Sequence, residues 1–448
     1  MSDSPSFYGS TGSGGARNRR IGAFAGVLLV AFLGVAVAKP WGGSPPGLAS
    51  TATPSAPDTG VMPLSSPAVI VTEGPLPVAF TTPAPPAAWA TWTGLRWRQL
   101  EPGDPLNLVT SVAPWRAGFV ALGWKAVPPA TPVWTSVDGT SWDPLPFNAP
   151  TTFWLGQTVL GVAQMGKGLV AITEVAQFCG EPCEPTYILP VVSWTSTDGR
   201  RWEPSMLPQS WLVEPPGMSP LVAFGPGGLV VATRGENARI ATSTDGTHWQ
   251  LLPESAFPGQ FALNDVRATS AGYVAAGAWI TNDRPSVPAS LWSADGRHWA
   301  ATPTVLPSPP VPGRDVGSAV TALVAGRDGF IAVGRDGAPS GSVHWWQSTD
   351  GRAWQALPTF SPLRPRTCPG DGCGLQPNGT LASDGHVLVA VAGGPAAATW
   401  LSTDGGSWRA LAVTGELPIE PLVQANVLPG GILASDRSTT WFGEAITR

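Results

Sequence analysis

The chain has 448 residues, a formal net charge of −5, 22 Trp, 54 Gly, 50 Pro and four Cys. Without residues 1–39, which carry Arg17, Arg19, Arg20, Lys39 and Asp3, the net charge is −8. No basic stripe is visible, which argues against a nucleic-acid partner, and the scarcity of Lys beside Arg points to a GC-rich bacterial genome.

Residues 1–20 precede an uncharged run, Ile21 to Ala38 (IGAFAGVLLVAFLGVAVA), just long enough to cross a bilayer core. Arg17, Arg19 and Arg20 stand immediately before it, so the excess of positive charge places residues 1–20 in the cytoplasm and everything after the run outside. The membrane is therefore an expected partner through Ile21 to Ala38, as a single-pass signal-anchor. The alternative is secretion after cleavage near Ala38, since Ala36-Val37-Ala38 has a small-residue cleavage pattern. The run is longer than the usual secretory apolar region, which favours the anchor.

Residues 39–87 form the next segment. Pro40 to Ala87 holds twelve prolines, with Asp58 and Glu73 the only charged side chains. Such a composition cannot bury a core and predicts an extended, disordered linker.

From residue 88 to residue 448 the chain repeats itself. A nine-residue phrase recurs about every fifty residues: Trp134 to Trp142 (WTSVDGTSW), Trp194 to Trp202 (WTSTDGRRW), Ala241 to Trp249 (ATSTDGTHW), Leu291 to Trp299 (LWSADGRHW), Trp346 to Trp354 (WQSTDGRAW) and Trp400 to Trp408 (WLSTDGGSW). A worn copy, WATWTGLRW, lies at Trp89 to Trp97. Asp-Gly between short strands is a hairpin signal, because Gly accepts positive φ and Asp bonds nearby amides. Ser136, Ser196, Ser243, Ser293, Ser348 and Ser402 can bond across the same turn. The closing Trp is expected to pack between neighbouring sheets.

Two apolar runs with strand character precede each phrase, such as AVTALVA (Ala319 to Ala325) and GFIAVG (Gly329 to Gly334). Each unit thus reads as four antiparallel strands a to d, with the Asp-Gly turn between c and d. Repeated radially, such units make a β-propeller. The expected fold is all-β, with seven blades, the last stitched from Val423 to Ala445 and the N-terminal hairpin at Trp89 to Leu100. One third-position strand is then surplus, headed by either Trp89 or Trp441, and six or eight blades remain open.

The phrase resembles the Asp-box, or BNR, repeat of sialidase-like propellers, shortened so that Asp and Gly adjoin. The resemblance makes Asp138, Asp198, Asp245, Asp295, Asp350 and Asp404 structural turn residues. Proteins with such boxes include hydrolases and pure binders, so fold alone does not choose between them.

In a propeller the b-c and d-a connections share one face. Cys179 and Cys183 (CGEPC) fall in a b-c segment, and Cys368 and Cys373 (CPGDGC) in a d-a segment. Outside the cytoplasm, these pairs read as two short-loop disulfides; a zinc site would have to join the distant pairs. The longest insertions lie on the same face. Binding usually resides on loops carried by a rigid scaffold, so the candidate ligand face comprises Glu174, Tyr187, Trp211, Asp283, Arg284, Arg314, Arg335, Arg364 and Arg366. The expected partner is an extracellular protein, glycan or small molecule, bound without catalysis.

The alternative is a sialidase-like glycoside hydrolase. The resemblance then implies a Tyr nucleophile, carboxylic acids and three Arg clamping the substrate carboxylate. Tyr187 is the sole candidate nucleophile, because Tyr273 aligns with the apolar positions Phe119 and Phe330. His248, His298, His344 and His386 form no metal pattern, no phosphate-cradling Gly-rich loop appears, and no cofactor is expected.

Overall fold

The computed structural model describes residues 88–101, 104, 107, 109–123, 133–145, 157–175, 191–207, 220–281, 284–307, 317–326, 329–336, 343–358, 379–392, 398–416, 422, 424–435 and 439–447. All of them belong to one compact unit, Thr72–Arg448. The apolar run 21–38, the Pro-rich segment 39–87 and the four cysteines lie outside the described residues. Among the described residues no helix is long and apolar enough to cross a membrane.

A short 3-10 turn, Ala88–Thr91, leads into β1 (Trp92–Gln99). The first unit is β2 (Val109–Trp115), β3 (Gly118–Gly123), β4 (Val133–Ser136) and β5 (Asp143–Pro144). The second is β6 (Gln157–Met165), β7 (Gly168–Val175), β8 (Val191–Ser196) and β9 (Glu203–Met206). The third is β10 (Leu221–Gly225), β11 (Gly228–Ala232), β12 (Ile240–Ser243) and β13 (Gln250–Leu251). The fourth is β14 (Phe261–Thr269), β15 (Gly272–Thr281), β16 (Arg284–Ser293) and β17 (Thr304–Val305). The fifth is β18 (Ser318–Gly326), β19 (Gly329–Asp336), β20 (Val343–Ser348) and β21 (Gln355–Leu357). The sixth is β22 (Gly379–Ser383), β23 (Leu388–Ala392), β24 (Ala398–Ser402) and β25 (Arg409–Gly415), and the chain ends with β26 (Gln424–Leu428), β27 (Gly431–Ser435) and β28 (Thr440–Thr447).

Units one to five are separate four-stranded antiparallel sheets. The remaining strands form one eight-stranded sheet in the order β22-β23-β24-β25-β1-β28-β27-β26. Within it, β1 pairs antiparallel with β28 and parallel with β25. The first strands of successive units touch in the order β2, β6, β10, β14, β18, β22, β26 and back to β2. The architecture is all-β and consistent with a β-propeller.

One expectation fails instructively. The worn phrase at Trp89 to Trp97 is no hairpin: Trp89 sits in the lead-in turn, and Thr93 and Gly94 run through the middle of β1. Thr93 Oγ1 donates to the carbonyl of Ile446 at 3.1 Å, and a Cβ on Gly94 would stand 2.7 Å from the carbonyl oxygen of Ala412. Gly is needed there for close strand approach, not for a turn. Of the two candidates for a third-position strand, only the Trp441 segment forms one, as β28, so no strand is surplus.

Burial explains why the second strands read as unbroken apolar runs. β11 (GLVVA) and β23 (LVAVA) are buried at every residue, because both faces are covered by neighbouring sheets. Alternate residues serve different interfaces. Val230 and Ala232 join Phe261, Leu263 and Tyr273 of the fourth unit, whereas Leu229 and Val231 join Val170 and Ile172 of the second. Trp202 packs in the cluster that unites the first two units, as expected for a closing Trp.

Candidate functional site

Antiparallel alternation gives the sheets two ends. The a-b and c-d turns emerge at one, the b-c and d-a connections at the other. At the turn end the six phrases share one hydrogen-bond pattern. In the first, Ser136 Oγ accepts from the Gly139 amide at 2.8 Å and donates to Asp138 Oδ1 at 3.0 Å, while Oδ1 accepts from the amides of Thr140 at 2.8 Å and Ser141 at 2.9 Å. The same contacts recur at Asp198, Asp245, Asp295, Asp350 and Asp404.

These bonds favour the charged carboxylate. The amide of Ser141 is the main force holding Asp138 far below the usual carboxylate range, and the amides of Arg201, Arg352 and Ser407 lower Asp198, Asp350 and Asp404. At Asp245 and Asp295 burial pulls upward but is outweighed by hydrogen bonds from His248 and His298, which leave Asp295 at about 2. Depressed values contribute stability above the ordinary carboxylate range, lost as pH falls through the folded-state values. The thermal midpoint should therefore stay level from neutrality to about pH 5 and fall below about pH 4. Equal midpoints at about pH 3 and pH 6 in a melting series would contradict this role for the turns.

The candidate nucleophiles divide clearly. Tyr273 is fully buried and donates its hydroxyl proton to the carbonyl of Gly228 at 2.8 Å; burial raises its pKa well above the ordinary phenol value. It is a core residue, as its alignment with Phe119 and Phe330 predicts. Tyr187 lies outside the described residues, together with Trp211, Asp283, Arg314, Arg364, Arg366, Cys179, Cys183, Cys368 and Cys373.

Three expected ligand-face residues are placed. Glu174 is buried near the end of β7, Arg284 begins β16, and Arg335 is half-buried on β19, where burial lowers its pKa. Glu174 and Arg335 thus sit at the b-c ends of the second and fifth units. The neighbour of Glu174 in β7, Thr173, belongs to a buried polar cluster in which Trp194 Nε1 donates to Gln157 Oε1 at 3.1 Å and Thr173 Oγ1 at 3.0 Å.

Sequence reasoning missed a polar seam along the first strands. The register of β2, β6, β14 and β18 slips by one residue at Thr110, Leu160, Asn264 and Thr321. Such bulges re-aim the next side chain. Ser111 Oγ then accepts from the Val162 amide at 3.1 Å, and the buried Asp265 Oδ2 accepts from the Leu323 amide at 2.9 Å. Arg267 Nε donates to the Leu323 carbonyl at 3.0 Å, Asn264 Nδ2 donates to the Val320 carbonyl at 2.8 Å, and Arg234 donates to the Asn264 carbonyl. These groups tie adjacent sheets together. The signal was present as polar residues inside the apolar run ALNDVRA.

Two of the clefts among the described residues bear on recognition. One, of about 540 Å³, includes Lys167, Arg201, Glu203 and Asp245 at the turn end between the second and third units. The other, of about 590 Å³, lies between β13 and the turn at residues 297–299. No described group of three or more His, Cys, Asp or Glu residues is placed to hold a metal.

Repeated four-stranded sheets with locked c-d turns define the class of this chain at the level of fold. No family model matches the sequence, and no curated protein matches it. Solved structures do show similarity: a YCF48 protein bound to a D1 peptide is 15% identical, with a TM-score of 0.44 over 79% of this chain and 96% of that one. A Hadza microbial sialidase is 14% identical at a TM-score of 0.39, over 62% of this chain and 63% of that one. A protein from Lactobacillus plantarum is 12% identical at a TM-score of 0.43, over 70% of this chain and 86% of that one. The fold assignment itself rests on the sheet topology.

Proposed function

We propose that the chain is a seven-bladed propeller of the shortened Asp-box type, whose last blade is β26, β27, β28 and β1. It is held outside the cell by a signal-anchor at Ile21 to Ala38, and the linker 39–87 spaces it from the membrane. The blade count is supported by the cyclic order of first-strand contacts and by two closing contacts, Gln424 donating to the Thr110 carbonyl and Pro429 packing on the Gly139 turn.

Its function is non-catalytic binding of an extracellular protein, glycan or small molecule on the face of the b-c and d-a loops, which two disulfides, Cys179 with Cys183 and Cys368 with Cys373, would pin. The observation that carries this reading is the commitment of potentially reactive groups to the scaffold. Six Asp carboxylates are tied up in turns, the Tyr273 hydroxyl in the core, and Asp265, Arg234 and Arg267 in the seam between sheets.

The test uses the full-length protein in detergent, on a glycan array and on fluorogenic sialosides and glycosides. Binding without turnover is expected, and replacing residues 176–190 with a short Gly-Asn linker should abolish it at an unchanged melting midpoint. Turnover lost on Tyr187→Phe would instead establish the hydrolase, and binding retained without that loop would move the site elsewhere.

A further inference from the structure

At the rim between the third and fourth units, where the d-a connection after β13 meets the c-d turn of the fourth unit, a cleft of about 590 Å³ includes Trp299, Arg297, His298, Gln250, Ser255 and Pro258. Trp299 is anchored there. Its ring packs on Phe257 with centroids 5.1 Å apart, and its Nε1 donates to the Gly296 carbonyl at 3.0 Å.

Arg297 is the unusual member. It is half-buried, its Nε is fully covered without a hydrogen-bond partner, and no described carboxylate lies within 4.0 Å of its guanidinium. A covered guanidinium nitrogen without a hydrogen-bond partner is costly. Arg352 occupies the same place in the next phrase and meets this cost by stacking on Trp292 of the preceding unit, 3.6 Å from the ring centroid. In the unit before Arg297, the residue corresponding to Trp292 is Thr242, which offers no such surface.

We infer that this cleft is a second binding site, for an acidic sugar of the hexuronate class, whose carboxylate pairs with Arg297 and whose ring lies against Trp299. A planar fork of donors suits a carboxylate, and an aromatic wall ringed by Gln250, Ser255 and His298 suits a hydroxylated ring. A peptide is the poorer fit, because the adjacent edge strand β13 is only two residues long and offers almost no ladder for strand addition.

No residue of the 176–190 loop lines this cleft, so the variant without that loop should retain the site. Isothermal titration of the full-length protein in detergent with tetragalacturonate should show binding, with a neutral galactose tetrasaccharide weaker by about tenfold or more. Arg297→Gln should weaken tetragalacturonate by a similar factor at an unchanged melting midpoint, while Arg352→Gln changes it less than about twofold. Arg297→Lys, which keeps charge but loses the fork, should fall between and serves if the Gln variant does not fold. Equal binding of the neutral sugar, indifference to Arg297 substitution, or no binding up to about 10 mM would overturn the proposal. Arg297-dependent binding of tetraglutamate with none of tetragalacturonate would also overturn it, in favour of an acidic peptide.

Discussion

Replacing Leu95 with Asp is expected to abolish cooperative unfolding, whereas Arg96→Thr, one residue along the same strand, should shift stability by no more than about 0.5 kcal/mol. Leu95 is fully buried in β1, opposite Val413 of β25 and Ala445 of β28, in a cluster with Trp92, Trp97, Val389 and Ile432. Arg96 points outward. An isolated carboxylate there costs several kcal/mol, a large share of the roughly 5–15 kcal/mol that holds a domain together. The loss is not local, because β1 is the only strand between β25 and β28 and its failure bares both edges. Chemical denaturation followed by tryptophan fluorescence reads the outcome. A single sharp transition for Leu95→Asp with an unchanged midpoint would show that β1 does not hold the sheets together.

Trp202→Ala should be the most damaging substitution among the closing tryptophans, at about 3–5 kcal/mol. Its side chain is 1% exposed, its Nε1 donates to the Gly199 carbonyl at 2.8 Å, and it packs with Trp115, Val120, Trp194 and Ala171 across the first two units. Truncation empties a large volume at an interface between two sheets, which the surrounding strands cannot collapse to fill. Trp249 occupies the same phrase position but is only partly buried, so Trp249→Ala should cost less. Paired equilibrium unfolding curves measure the difference, and equal losses for the two would contradict packing as the reason these residues recur.

Local chemistry was legible in the sequence; distant pairing was not. Ser136, Asp138 and Gly139 complete their turn within six residues, Ser136 to Ser141, so spacing alone revealed it, and the closing Trp follows from the same phrase. Thr93 and Gly94 keep the appearance of that turn, yet their partners Ile446 and Ala412 lie more than three hundred residues away, and only strand pairing reveals that the segment is straight. Asp265 and Arg267 were hidden for a related reason. In a regular strand their alternation looks like an interruption of the core, and the bulge at Asn264 that re-aims them has no strong sequence signature. Of the expected ligand-face residues, Glu174, Arg284 and Arg335 are placed on strands, while Tyr187, Trp211, Asp283, Arg314, Arg364 and Arg366 fall in connections outside the described residues.

A cross-link between β1 and β28 tests the proposed ring most directly. Arg96 of β1 and Glu444 of β28 are exposed partners in the antiparallel register. In the full-length protein carrying Arg96→Cys and Glu444→Cys, mild oxidation should join these positions, as seen by peptide mapping, and raise the denaturation midpoint, since a closed loop of this length strongly restricts the unfolded chain. Failure of positions 96 and 444 to join under conditions that leave the fold intact would contradict a ring closed by its first strand.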